Sequence, residues 1–259
     1  MPARLQLIGL LLVFLSGVAS ASSASENLAA SAHGSPPRLF TELAGHLYER
    51  RSWNREGELT DLQAIRIGDV ETTENGELVL PAELISYRLP EDGEPDASPG
   101  SFFDEGAETG RVAMRWVLKE DVDPNARLAL LGSIETEERS LEVELREMSG
   151  VIYPASIEEG LLPDVRFVIK MRKGVLSFLG ARTVIRLSER RAWSAEGDSG
   201  QPIEIRSRVS AAFKVIGIPW RKPRFENRQL LDRHGLVEVV LEPRKGGRQM
   251  IRRIPAAAD

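Results

Sequence analysis

Side chains alternate between apolar and polar along most of this chain after residue 60, and that period of two limits it to a fold built from strands. Val112, Met114, Trp116 and Leu118 are interleaved with Ala113, Arg115 and Val117, and Leu141, Val143 and Leu145 with Glu142, Glu144 and Arg146. Val165, Phe167, Ile169 and Met171 alternate with Arg166, Val168 and Lys170, and the pattern returns at Ile203–Val209 and Val237–Leu241. Shorter pieces stand at Ile65–Ile67 and Leu78–Leu80. Successive side chains of a strand leave on opposite faces, so such a pattern turns one face to a core and the other to water. The runs are separated by turn-forming stretches: Glu74-Asn75-Gly76, Asp123-Pro124-Asn125, Arg172-Lys173-Gly174, Glu196–Gly200 and Lys245-Gly246-Gly247. Tight turns join antiparallel neighbours, because parallel strands need long crossovers. The expectation is a mainly β protein, an antiparallel barrel with a β-sandwich as the alternative.

One segment reads differently. Leu39, Phe40, Leu43 and Leu47 recur at helical spacing, with Glu42, Glu49, Arg50 and Arg51 on the other side, which predicts a short N-terminal helix ending near Trp53. The stretch 90–110 is acidic and rich in Pro and Gly, as expected of a long loop or a boundary. Residues 38–110 are therefore expected to supply the helix and the first strands, and 111–254 the main antiparallel β-domain.

The start of the chain reads as an address. Arg4 precedes an apolar run from Leu5 to Leu15, and Ala19-Ser20-Ala21 follows as a small-residue cleavage site. About 11 apolar residues fall short of the roughly 20 that cross a bilayer. A signal peptide over residues 1–21, cleaved near Ala21, predicts a periplasmic or secreted protein. Residues 22–37 are small and polar and are expected to form a flexible linker. The chain has no cysteine, so disulfides, lipid attachment at cysteine and thiolate metal sites are all excluded. An exported chain of this kind must take its stability from a packed core.

Charge narrows the partners. The 34 basic and 39 acidic residues are mixed along the chain for a net charge of −5, which argues against nucleic acid as a partner, since that needs a concentrated basic face. The stretch from Arg221 to Arg253 is locally basic, with Lys222, Arg224, Arg228, Arg233, Arg244, Lys245, Arg248 and Arg252 between them. Solvated strand faces explain it, and peripheral contact with anionic membrane headgroups is the sharper alternative.

Catalytic motifs do not hold up. Gly197-Asp198-Ser199-Gly200-Gln201-Pro202 resembles the segment around the nucleophile of trypsin-like proteases, whose serine needs a histidine base and an orienting carboxylate. His33 lies in the linker, His234 follows the serine, and His46 sits in Leu43-Ala44-Gly45-His46. A polar turn accounts for the same letters, so a serine hydrolase built on Ser199 ranks as the third reading. No metal is expected, because three widely separated histidines do not make a zinc site and the acidic loop lacks a calcium-binding pattern. No cofactor is expected either, since no phosphate-binding glycine loop is present.

A family resemblance spans residues 128–245. Leu131-Gly132-Ser133-Ile134 leads into the strand Leu141–Leu145; Pro163–Phe167 precedes Gly174–Gly180; Phe213–Pro223 leads to a closing strand at Val237–Leu241. In this order the pieces resemble the bacterial polyisoprenoid-binding, lipocalin-like barrel family of exported proteins. The resemblance implies a non-enzymatic barrel that holds an isoprenoid or other lipid tail in its interior. Each buried methylene would contribute about 0.8 kcal/mol. The expected apolar lining is Phe167, Ile169, Met171, Phe178 and Phe213. The second reading is a structural or assembly module of the envelope that works through its surface.

Overall fold

The computed structural model describes residues 44–76, 78–89, 108–119, 129–135, 140–149, 159–171, 180–194, 203–215, 218–221, 223–232, 235–244 and 246–255. The expected leader and linker, residues 90–107 of the acidic stretch, Phe178, the Ser199 segment and His234 lie outside them.

The described residues are strands joined by turns. In chain order they are β1 (Leu47–Trp53), β2 (Leu59–Ile67), β3 (Glu71–Thr72), β4 (Leu78–Tyr87), β5 (Glu108–Lys119), β6 (Ala129–Glu135), β7 (Ser140–Ser149) and β8 (Gly160–Leu162). There follow β9 (Val165–Met171), β10 (Arg182–Ser194), β11 (Ile203–Val215), β12 (Ile218–Arg221), β13 (Arg224–Asp232), β14 (Gly235–Pro243) and β15 (Arg248–Arg253). The mainly β, antiparallel expectation holds. Two of the expected turns are visible: Gly76 donates its N–H to the Thr73 carbonyl at 2.9 Å, and Gly246 donates to Pro243 at 3.0 Å. Both glycines have φ near +80° to +90°, a region that costs any residue with a Cβ.

The first strands belong to the same sheet as the last. β1 lies between β2 and β15, pairing Arg50 with Gln63 on one side and with Ile251 on the other. From β15 the ladder runs back through β14, β13 and β11, and from β2 it runs on through β4, β5, β6, β7, β9 and β10. The antiparallel pairing of β10 with β11 joins the two runs, so twelve strands form a circuit of pairs with β3, β8 and β12 as short additions.

Following the register round this circuit sorts the side chains into two sets. The inward set includes Tyr48, Ile65, Leu80, Leu84, Met114, Phe167, Ile185, Val209, Phe225, Val239, Leu241 and Ile251, which pack into one apolar cluster. Tyr48, Ile65, Phe167 and Ile185 have no accessible surface at all. No water-sized void therefore touches them, and this part of the interior is filled by side chains. A polar band adjoins the cluster. There Arg50 donates to Gln63 Oε1 at 2.7 Å, Gln63 donates to Ser86 Oγ at 3.1 Å, and Asn227 donates to Ser207 Oγ at 3.0 Å.

The expected N-terminal helix is corrected for its second half: Leu47–Trp53 is strand β1. Leu39, Phe40 and Leu43 lie outside the described residues. The helical reading took Glu49, Arg50 and Arg51 for a solvated face, yet all three are buried, as are Tyr48 and Ser52. With neighbours on both edges and both faces covered, polarity along β1 no longer reports exposure. Arg51 meets Glu49 at 3.3 Å. Burial pushes the Arg50 guanidinium below its ordinary pKa, against the opposing charge of Asp61.

Phe167→Ala should cost about 3–5 kcal/mol, measured as a shift in urea unfolding. A loss under about 1 kcal/mol would mean that the inward faces do not form the core.

Candidate functional site

The outer face of β9, β10, β11, β13 and β14 carries the most distinctive arrangement of charge. Alternation that sends Phe167, Ile185, Val209 and Phe225 inward sends their neighbours Arg166, Arg186, Ser210 and Arg224 outward. The register then aligns these four in one row: Arg166 opposite Arg186, Arg186 opposite Ser210, Ser210 opposite Arg224. Ser149 of β7 extends the row beyond Arg166. Arg244 extends it at the other end, where its N–H donates to the Arg224 carbonyl at 3.2 Å. All six residues line one shallow concavity of about 490 Å³.

Its electrostatics are lopsided. Five arginines line it (Arg166, Arg186, Arg208, Arg224 and Arg244) against two acids, Asp164 and Glu189, in a chain whose net charge is −5. Arg166 is paired with Glu147 at 2.9 Å, and Arg208 is paired with Glu189. No described acid forms an ion pair with the side chains of Arg186, Arg224 or Arg244. Like charges directly opposite across a strand pair are unfavourable by a few tenths of a kcal/mol or more, and Arg166 opposite Arg186 is such a pair.

One row further along the strands the sign reverses. Ser188, Arg208, Glu226 and Glu242 stand outward there. This row borders a second concavity of about 430 Å³, which shares Glu189 and Arg208 with the first and is also lined by Arg206, Arg228 and Arg248. Glu189 stands at the junction because β10 is irregular between Ser188 and Arg191. Its φ of 51° makes it the one residue other than glycine with positive φ among those described. A bulge of this kind re-aims a side chain and stores backbone strain of about 1–3 kcal/mol. The residue after it, Arg190, turns inward, is buried, and donates to the Pro163 carbonyl at 2.7 Å.

The residues expected to line an apolar cavity fall on the inner face. Phe167 and Ile169 are buried in the cluster, Met171 is half-buried against it, and Phe213 is half-buried, opposite Thr183. Phe178 lies outside the described residues, as does Ser199, so the hydrolase arrangement lies outside them too. His46 is placed edge-on to Tyr48 at 6.2 Å. Among the described residues, no group of three or more His, Asp or Glu could hold a metal ion. The arginine row was only half visible beforehand. Arg224 and Arg244 belong to the basic C-terminal stretch, but Arg166 and Arg186 join them only through registers that strand spacing does not reveal.

No family model matches the chain, so the polyisoprenoid-binding likeness of residues 128–245 remains a resemblance, and no curated protein is similar to it. Two solved structures are similar in shape. One is a candidate lipoprotein from Parabacteroides distasonis, with a TM-score of 0.39 and 9% identity over 83% of this chain and 95% of that one. The other is a candidate exported protein with a YmcC-like fold from Bacteroides fragilis, with a TM-score of 0.36 and 9% identity over 82% of this chain and 96% of that one. Likeness at this level carries no ligand, partner or activity across.

Glu189→Gly should stabilise the fold by about 1 kcal/mol, since glycine takes positive φ freely and the exposed pair with Arg208 contributes little. Glu189→Ala should not be stabilising. Equal urea midpoints for the two variants would show that the bulge holds no strain.

Proposed function

We propose that this protein is exported to the cell envelope and works there, without catalysis, as a binding module through the outer face of β9–β14. The observation that carries this reading is the contrast between the two faces. The inner side chains around Phe167 and Ile185 are packed into a buried cluster, while the outer face is concave, polar and rich in arginines, of which Arg186, Arg224 and Arg244 form no ion pair with a described acid. The edge strand β8 adds to it, with Leu161 85% exposed. The leader supplies the route out of the cytoplasm and the absence of cysteine leaves the core as the source of stability.

A second reading keeps the apolar ligand. Met171 and Phe213 point inward but are only half-buried, so an isoprenoid or lipid tail would enter at that margin of the cluster rather than through its packed centre. Native mass spectrometry of the protein purified from envelopes tests it. A bound lipid that Phe213→Ser removes would favour this second reading over the first.

Fractionation tests the main reading. Arg208→Glu combined with Arg248→Glu should release the mature protein from the envelope fraction, while Phe213→Ser should leave it there. Unchanged retention of the double variant would overturn surface binding.

A further inference from the structure

We propose that the row Arg166–Arg186–Ser210–Arg224–Arg244 is a binding site for a phosphate group. The inference rests on the reading of the outer face as the working surface and names what it recognises. Arg186 and Arg224 flank Ser210 as its direct partners on either side. Neighbouring strands lie about 4.8 Å apart, so the two arginine backbones are about 10 Å apart with a short side chain between them. Two long guanidinium side chains can close over that gap, and the serine hydroxyl forms its floor. This donor set suits a tetrahedral oxyanion: two planar forks that each offer paired N–H groups, and one O–H.

Three further observations point the same way. Arg186 and Arg224 are exposed and neither forms an ion pair with any described acid, so their donors are available. Arg166 opposite Arg186, and Arg244 beside Arg224, set like charges side by side at a cost that a bound dianion reverses. Glu226 and Glu242 stand opposite each other on the side of the second concavity and do not line this one. They repel an anion that slides that way, which favours the arginine row. Phosphate over this row is the shared chemistry of a free phosphorylated solute and a phospholipid headgroup. The lining offers no apolar wedge for insertion into a bilayer: the large, strongly exposed apolar residues among those described, Leu89 and Leu161, are not part of it.

The test uses the mature protein and two probes. Calorimetric titration with inorganic phosphate reads binding of the free group, and co-sedimentation with phosphatidylglycerol vesicles, against phosphatidylcholine vesicles, reads binding of a headgroup. At least one probe should bind saturably and more weakly as salt rises. Arg186→Gln and Arg224→Gln should each weaken it about tenfold, as the loss of one charge-assisted contact requires. Arg111→Gln, at an exposed arginine on β5 already held by Glu108 and Glu83, should change nothing. Binding of phosphate in solution identifies a free solute; binding of phosphatidylglycerol alone identifies a headgroup. Absence of saturable binding to either probe overturns the inference, as does equal weakening by Arg111→Gln or no weakening by the two row variants. If the charge-reversed protein leaves the envelope while neither probe binds the wild type, only the phosphate site falls and the surface reading stands.

Discussion

Residues 182–194 of β10 lie against 203–215 of β11, and without that ladder the sheet would be an open path of strands with two long unpaired edges. Open edges of that length invite pairing with other chains. With the pairing in place, twelve strands acquire an inside and an outside. The inside can then exclude water, as a chain without disulfides needs. The same ladder contains the irregularity at Ser188–Arg191, so the contact that unites the two runs also sets Glu189 outward at the junction of the two concavities.

The interior is not purely apolar, and its polar members follow a physical rule. Arg50, Gln63, Ser86, Asn227 and Ser207 are tied to one another or to the backbone, because an unsatisfied buried polar group costs more than a hydrogen bond returns. Arg50 still has its Nε and Nη2 without hydrogen-bond partners. That is a cost to stability of the kind often retained where a polar group fixes register. On β1 it stands opposite Gln63, so a slip of one residue would place its charge on the wrong face.

The outer face obeys a different economy. Surface ion pairs contribute little to stability, so pairs such as Arg228 with Glu238 or Arg166 with Glu147 do not explain why the arginines are arranged as they are. A row of like charges becomes favourable where an anion of the proposed kind binds over it. Two neighbouring rows of opposite character, one basic and one largely acidic, give the concave face a direction that scattered charges would not have.

Period-two alternation at 165–171, 203–209 and 237–241 was enough to fix strands and the inward positions of Phe167 and Ile169, because side-chain direction in a strand is a local property, and the tight turns between the runs gave their antiparallel pairing. It failed at Leu47–Trp53, where burial on both faces erased the polarity signal and apolar residues at helical spacing suggested a helix. The lack of cysteine was likewise legible in the letters. What only the tertiary structure decided is which strands are neighbours, and hence that Arg166, Arg186, Ser210 and Arg224, separated by up to 58 positions in the chain, share one row. Register depends on turn lengths, bulges and the pairing of distant segments, and none of these is written in the period of any one strand.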